Sequence, residues 1–251
     1  MPENTKGKNG AKFNLIKNPG QIFEKRILPR FPFTFMAFKL GNTSSTKIFE
    51  VRDLSLRGAH ISLKDGGVPF LKGEQLNGHI VWKGRKVSIL GTVIWVKNQS
   101  LGLEFNSTPT LENELMELLS LENVAADFRP LHENPLQADL PSNLKYWLKA
   151  DGPAEVFVWQ HSDGELARFQ FLFLDHFVEW EDGRGIKTGR MVNVRDIETP
   201  LAPEDEFMFE MDTAADNHKI SIACKMMDRI PNHYIPENTT RFLRMKLSAT
   251  C

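Results

Sequence analysis

The sequence predicts a mainly β protein built in two units. Three observations carry that reading. Short runs alternating apolar and polar residues recur between Arg30 and Phe105, with Gly, Asn and Asp breakers between them. The same texture returns beyond residue 143, after a proline-containing stretch. Alternation at period two puts successive side chains on opposite faces of a strand, so each run reads as a half-buried strand. A length of 251 residues, 41% hydrophobic and 25% charged, gives room for two small domains with real cores and excludes global disorder.

Residues 1–24 read as a flexible basic tail, with Lys6, Lys8, Lys12 and Lys17 against Glu3 in their first part. Phe31, Phe33 and Phe35 alternate with Pro32 and Thr34 as a first strand. Residues 47–51, 59–63, 76–81, 87–96 and 101–105 supply further strands, parted by Gly41-Asn42, Asp65-Gly66-Gly67, Lys83-Gly84 and Asn98-Gln99-Ser100. In the longest run, Val87, Ile89, Gly91, Val93 and Trp95 fall on one face. Six short strands in so little chain make a small antiparallel barrel or sandwich. Thr108 then offers an N-cap and Pro109 the first helical position. Leu111, Leu115, Leu118 and Leu119 form one stripe of a helix suited to plugging a barrel end. The first unit is thus 25–127.

Residues 128–142, with Pro130, Pro135 and Pro141, read as a linker. Beyond it, 155–160, 168–180, 190–195, 206–211, 219–227 and 241–247 are candidate strands of a second unit, 143–251. Ser162-Asp163-Gly164 and Glu181-Asp182-Gly183 mark hairpins. Glu204, Asp205, Glu206, Glu210, Asp212 and Asp216 crowd together, but without the ligand spacing and bend glycine of a calcium loop, so a solvated acidic loop is expected.

Charge and composition narrow the functions. Lys and Arg number 31 against 32 acids, a formal net charge of -1. That excludes a whole-chain field for nucleic acid, and the phenylalanines alternate as core rather than interleaving with a basic groove. No DNA or RNA partner is expected. The first ten residues are polar and unlike a signal peptide, and no apolar run approaches the ~18 residues of a membrane span. A cytoplasmic protein without membrane insertion follows. Cys224 and Cys251 are too sparse for a disulfide framework or a zinc site. The seven histidines are scattered with no HxxE or HExxH pattern, and there is no GxSxG. Neither metal, cofactor nor enzyme activity is expected.

One constellation carries chemistry. Arg26 and Arg30 form an RxxxR pair ahead of the first strand, and Asp53-Leu54-Ser55-Leu56-Arg57-Gly58 forms a DxSxxG after the next. Val93-Ile94-Trp95 and Gly102-Leu103-Glu104-Phe105 follow, then the helix. This order over residues 24–121 resembles the PilZ domain family, small β-barrel receptors for cyclic di-GMP. The resemblance implies a six-stranded antiparallel barrel with a trailing helix. It also implies that Arg26, Arg30, Asp53, Ser55 and Gly58 hold the dinucleotide, with no cofactor beyond that ligand.

The residue chemistry agrees. A guanidinium forks onto phosphate oxygens or onto guanine O6 and N7, and stacks on purines. Asp53 can accept from guanine N1–H and N2–H, an edge the arginines cannot read. Ser55 can bond the same edge or a phosphate, and Gly58 permits a tight turn and close approach. Lys25 and Arg57 flank the motifs as further candidate contacts. Trp95 reads more readily as barrel core, with base stacking as its other role.

The halves also match loosely. Arg168-Phe-Gln-Phe-Leu-Phe parallels Arg30-Phe-Pro-Phe-Thr-Phe, and Val194-Arg195-Asp196 parallels Val51-Arg52-Asp53. Residues 220–222 parallel 87–89, and 243–247 parallel 101–105. A degenerate second PilZ-like barrel is therefore expected. It lacks the first Arg, the Ser and the Gly (Gly164, Glu198 and Leu201 stand there), so it should not bind the ligand. The function expected is a cyclic di-GMP receptor whose interdomain or partner contacts change on binding. The alternative is a ligand-independent adaptor for protein partners.

Overall fold

The computed structural model describes residues 22–25, 35–41, 48–63, 69–132, 141–193 and 206–248. Strand β1 (Ile22–Lys25) comes first, and belongs to the second unit. Strands β2 (Ala37–Leu40), β3 (Ile48–Leu54), β4 (Gly58–Ser62), β5 (Gln75–Trp82), β6 (Arg85–Lys97) and β7 (Ser100–Phe105) form a closed antiparallel barrel in the order β2-β3-β4-β7-β6-β5. Alternation fills it: Phe38, Phe49, Val51, Ile61, Ile80, Ile89, Val93, Leu101 and Leu103 are all buried. The expected strand at Phe31, Phe33 and Phe35 needs correction. Residues 31–34 lie outside the described residues, and Phe35 has φ 59° and is 93% exposed. The strand begins at Ala37, with Met36 and Phe38 turned inward.

Helix α1 (Pro109–Leu118) follows as expected. The Thr108 hydroxyl accepts from the Leu111 N–H at 3.2 Å, and Leu111, Leu115 and Leu118 are buried. Next come α2 (Leu121–Val124) and a buried Phe128, then β8 (Arg129–Pro130), β9 (Leu144–Lys149), β10 (Ala154–Gln160), β11 (Leu166–Phe173), β12 (His176–Glu181), β13 (Gly185–Asn193) and β14 (Glu206–Met211). With β1 they make an eight-stranded antiparallel sheet in the order β1-β14-β13-β12-β11-β10-β9-β8. So the tail ends in a strand, and the supposed linker opens with one.

Helices α3 (Asn217–Met227) and α4 (Glu237–Ser248) replace the strands expected at 219–227 and 241–247. The apparent alternation of Ile220 and Ile222 misled. The buried positions Ile220, Ala223, Met226 and Met227 have helical spacing, and Asp216 caps the helix by accepting from the His218 and Lys219 N–H groups. The second unit is therefore an open sheet carrying helices, not a second closed barrel. The internal repeat fails as well. Arg168 lies on β11, which pairs with β10 and β12 and not with β13, and Val194, Arg195, Asp196, Glu198 and Leu201 lie outside the described residues. The counterparts of 87–89 and 101–105 are helical. Strand-like composition alone produced the match.

One face of the sheet (Leu148, Val156, Phe169, Phe171, Val178) joins α3, α4, Val124, Ala125, Phe128 and the barrel interior in a single apolar cluster. Trp147, Phe157, Leu172, Phe177 and Met191 form a separate cluster on the other face. Polar contacts reinforce the junction: Lys83 Nζ lies 2.7 Å from Asp127 and 3.1 Å from Asp151, Arg129 lies 3.3 Å from Asp151, and the Gly152 N–H donates to the Val124 carbonyl. Among the described residues no helix is long and apolar enough to cross a membrane.

The acidic stretch is not simply solvated. Lys219, almost wholly buried, reaches both Asp212 carboxylate oxygens at 2.7 and 2.8 Å, and the Thr188 hydroxyl donates to the same carboxylate. Burial pushes the Asp212 carboxyl up, but the hydrogen bonds from Lys219 and Thr188 and the ammonium charge outweigh it and hold it below its usual value. A carboxyl depressed in the folded state adds stability above its unfolded pKa and loses it as pH falls through the folded one. Lys219→Ala should lower unfolding free energy at pH 7 by ~2–4 kcal/mol. It should also flatten the acid-side loss of stability below about pH 4. Denaturant titrations across pH test both.

Candidate functional site

Barrel closure packs the interior, so any ligand must meet the outside. Two strand irregularities decide which side chains face it. The β3–β4 register shifts between Val51 and Asp53: Val51 pairs with Ile61, but Asp53 pairs with His60. The extra residue turns both Arg52 and Asp53 outward while Leu54 returns to the core. The second shift lies in β6, where Val93 pairs with Leu103 but Trp95 pairs with Gly102. Ile94 is the additional residue, and Trp95 crosses to the outer face, 38% exposed. This corrects the sequence expectation that Trp95 shares the inner face of Val93.

The pairings line up one row across the outer surface: Asp53 on β3, His60 on β4, Gly102 on β7 and Trp95 on β6. The indole lies over Gly102, where an added Cβ would sit 2.1 Å from the Trp95 Nε1. The Trp95 and His60 rings are 5.1 Å apart and inclined at 59°. His60 did not stand out in the sequence. The one sequence signal was a glycine inside a strand, which often marks a place that another group approaches closely.

Between β3 and β4 the DxSxxG residues close a tight turn. The Ser55 N–H donates to the Gly58 carbonyl at 2.9 Å. The Ser55 hydroxyl accepts from the Gly58 N–H at 3.2 Å and the Arg57 N–H at 3.3 Å, and donates to the Gly58 carbonyl at 3.2 Å. The hydroxyl thus bonds the loop backbone and fixes the loop beside Asp53. Gly58 also meets a requirement of the barrel itself. A Cβ there would lie 2.4 Å from the Leu103 carbonyl oxygen, so the close approach is between β4 and β7. The Arg57 carbonyl accepts from the Phe105 N–H at 2.7 Å, and its side chain is exposed at the turn. The neighbouring Arg52 is engaged within the strip, donating to the Ser62 hydroxyl at 2.9 Å and lying 3.0 Å from Glu50.

The structure therefore gathers Asp53, Ser55, Arg57, Gly58 and Trp95 on one exterior region. Arg26 and Arg30 lie outside the described residues. Lys25 is the last residue of β1, in register with Glu206 of β14, so it sits at the sheet edge rather than on a free tail.

Comparison with known proteins fits this geometry. Residues 24–121 match the model of the PilZ domain, an interval holding the whole barrel, α1 and every candidate site residue. No curated protein matches the chain as a relative. Two solved structures show similarity. The K. pneumonia MrkH–c-di-GMP complex is 7% identical with TM-score 0.23, covering 77% of this chain and 86% of that one. MrkH in its apo state is 9% identical with TM-score 0.22 and the same coverage.

If Gly102 exists to admit the indole, adding one methyl must displace it. Gly102→Ala should lower barrel stability by ~1–3 kcal/mol through overpacking. Gly102→Ala combined with Trp95→Ala should recover most of that loss. Denaturant unfolding of the single and double variants measures the coupling.

Proposed function

With residues 24–121 as a PilZ domain, we propose that this chain is a receptor for cyclic di-GMP that binds its ligand without turning it over and works in the cytoplasm. The observation that carries this reading is the outward Asp53, held by a bulge beside the Ser55–Gly58 turn. Asp53 presents a carboxylate to the N1–H and N2–H edge of a guanine. Arg26 and Arg30, next in the chain to β1, supply the cationic half, forking onto phosphate oxygens or guanine O6 and N7. Ser55 and Gly58 hold the turn, Trp95 adds aromatic support beside the ligand, and Lys25 and Arg57 flank it. No cofactor enters this scheme.

The same arrangement supports a route for the signal. The units share one apolar cluster and the Lys83–Asp127–Asp151–Arg129 contacts, which resist a swing of one against the other. Lys25, however, ends the edge strand of the second sheet, and Arg26 follows it within one Cα–Cα step of about 3.8 Å. A ligand that fixes Arg26 thereby fixes the end of β1. Binding and the pairing of β1 with β14 are then linked, each favouring the other by the same factor. The output is a change at that sheet edge and in what a protein partner meets there.

Arg26→Ala and Arg30→Ala should each weaken cyclic di-GMP by ~1.5–3 kcal/mol, about one to two decades. Asp53→Ala should narrow the preference over cyclic di-AMP, because adenine lacks the N2 amine. Calorimetric titration of the full chain checks both, and wild-type affinity in the double arginine variant contradicts the assignment.

Hydrogen exchange tests the route. Saturating cyclic di-GMP should slow exchange of the β14 amides that face β1 and leave the Lys83–Asp151 junction unchanged. Binding without any change in β14 would refute coupling through the edge strand.

A further inference from the structure

Outside the family's two motifs, one aromatic side chain stands in the middle of the site. His60 occupies the position directly across from Asp53 in the β3–β4 ladder, and across from Gly102 in the β4–β7 ladder. Its flanking residues Ala59 and Ile61 are buried in the barrel, so the imidazole belongs to the outer surface, where it is half-buried. Adjacent strands lie ~4.8 Å apart, so the imidazole begins one strand spacing from Asp53. On its other side Trp95 leans across the bare Gly102 and meets it at 5.1 Å. The indole occupies the space above β7, and the imidazole occupies the space above β4. A flat group whose edge points at Asp53 therefore meets His60 before it meets Trp95.

We infer that His60 is a ligand-contacting residue of this barrel: its ring is the shelf on which the purine rests, and Trp95 braces that ring from behind. The inference rests on the cyclic di-GMP reading and assigns the division of labour within it. Asp53 reads the edge of the base and so discriminates guanine from adenine. His60 supports the face of the base, and every purine has a face, so its contribution is blind to base identity. Ser55 and Gly58 shape the turn that keeps Asp53 beside the shelf.

That division has distinct signatures. His60→Ala should weaken cyclic di-GMP and cyclic di-AMP by the same factor, about tenfold or more, leaving their ratio as in the wild type. Asp53→Ala should alter the ratio. His60→Phe keeps a flat ring and should restore affinity to within about threefold, whereas His60→Gln, polar but not aromatic, should behave like His60→Ala. Calorimetric titration of the full-length variants against both dinucleotides reads these outcomes, with thermal unfolding run alongside to show that each variant is folded. As an independent readout, the ring-proton resonances of His60, assigned by their loss in His60→Gln, should shift on adding either dinucleotide. The inference is overturned if His60→Ala binds like the wild type, if His60→Phe fails to restore binding while folded, or if the ring resonances stay in place at saturation. A wild-type chain that binds neither dinucleotide overturns the receptor reading itself, and with it the role of His60. A chain that binds with His60 indifferent overturns this inference alone.

Discussion

A closed barrel of six strands has an interior only wide enough for its own side chains. Phe38, Phe49, Val51, Ile61, Ile89 and Leu101 fill it here, all essentially inaccessible to solvent. That constraint governs the rest of the molecule. Whatever the barrel binds must be met on its outer face, where a strictly alternating strand places every second residue. The two register shifts break that alternation where it matters. Each inserts one residue into a ladder, after Val51 and after Val93, and each brings a functional group outward: Asp53 in one case, Trp95 in the other. Leu54 and Leu103 stay in the core on either side, so the barrel keeps its packing while it gains an exterior row.

The second unit answers a different constraint, the exposed edges of an open sheet. An edge strand carries unpaired backbone groups and must be covered or kept short. β8, of two residues, ends one side, and β1, of four, ends the other. β1 comes from the opposite end of the sequence and is joined through residues 26–36 to the barrel, so the chain crosses from one sheet to the other at the RxxxR motif. Near α2 the units are instead fused by apolar packing that runs from Leu118 through Val124 and Phe128 to Ala154. On the receptor reading proposed above, a fixed joint on one side and a single covalent crossing on the other would let β1 carry a local event at Arg26 to the second sheet.

How much of this was legible in the sequence depended on what each residue's partner was. The barrel strands after the first were readable because inward and outward residues alternate, and α1 was readable because Thr108, Pro109 and the leucine stripe are local signals. Asp53, Ser55 and Gly58 were found as a pattern, and the structure places them on one turn. The failures at Trp95 and His60 came from long-range determinants. Trp95 was put inside because the alternation from Val87 was carried through a bulge that only the pairing with β7 reveals. His60 was passed over because its significance lies in its neighbours on β3 and β7. The helices at Ile220 and Leu243 were read as strands because four or five apolar residues satisfy either period. The Asp216 cap with the packing of Ala223 and Met227 decides for a helix in the first, and the i, i+4 burial of Thr239, Leu243 and Leu247 in the second.

The bulges also separate recognition from stability. Asp53 lies on the surface, and its main-chain neighbours Val51 and Leu54 supply the packing. Changing its carboxylate therefore removes a surface charge without opening a cavity. Trp95 is coupled more tightly, because Gly102 has lost its side chain to make room for the indole. The exterior row thus grades from a replaceable carboxylate at Asp53, through a ring at His60, to an indole at Trp95 built against the strand beneath it. On the proposed reading, base discrimination falls at the end of that row with the fewest structural ties. On that reading a substitution at Asp53 changes the surface without touching the core, whereas any side chain added at Gly102 demands a change at Trp95.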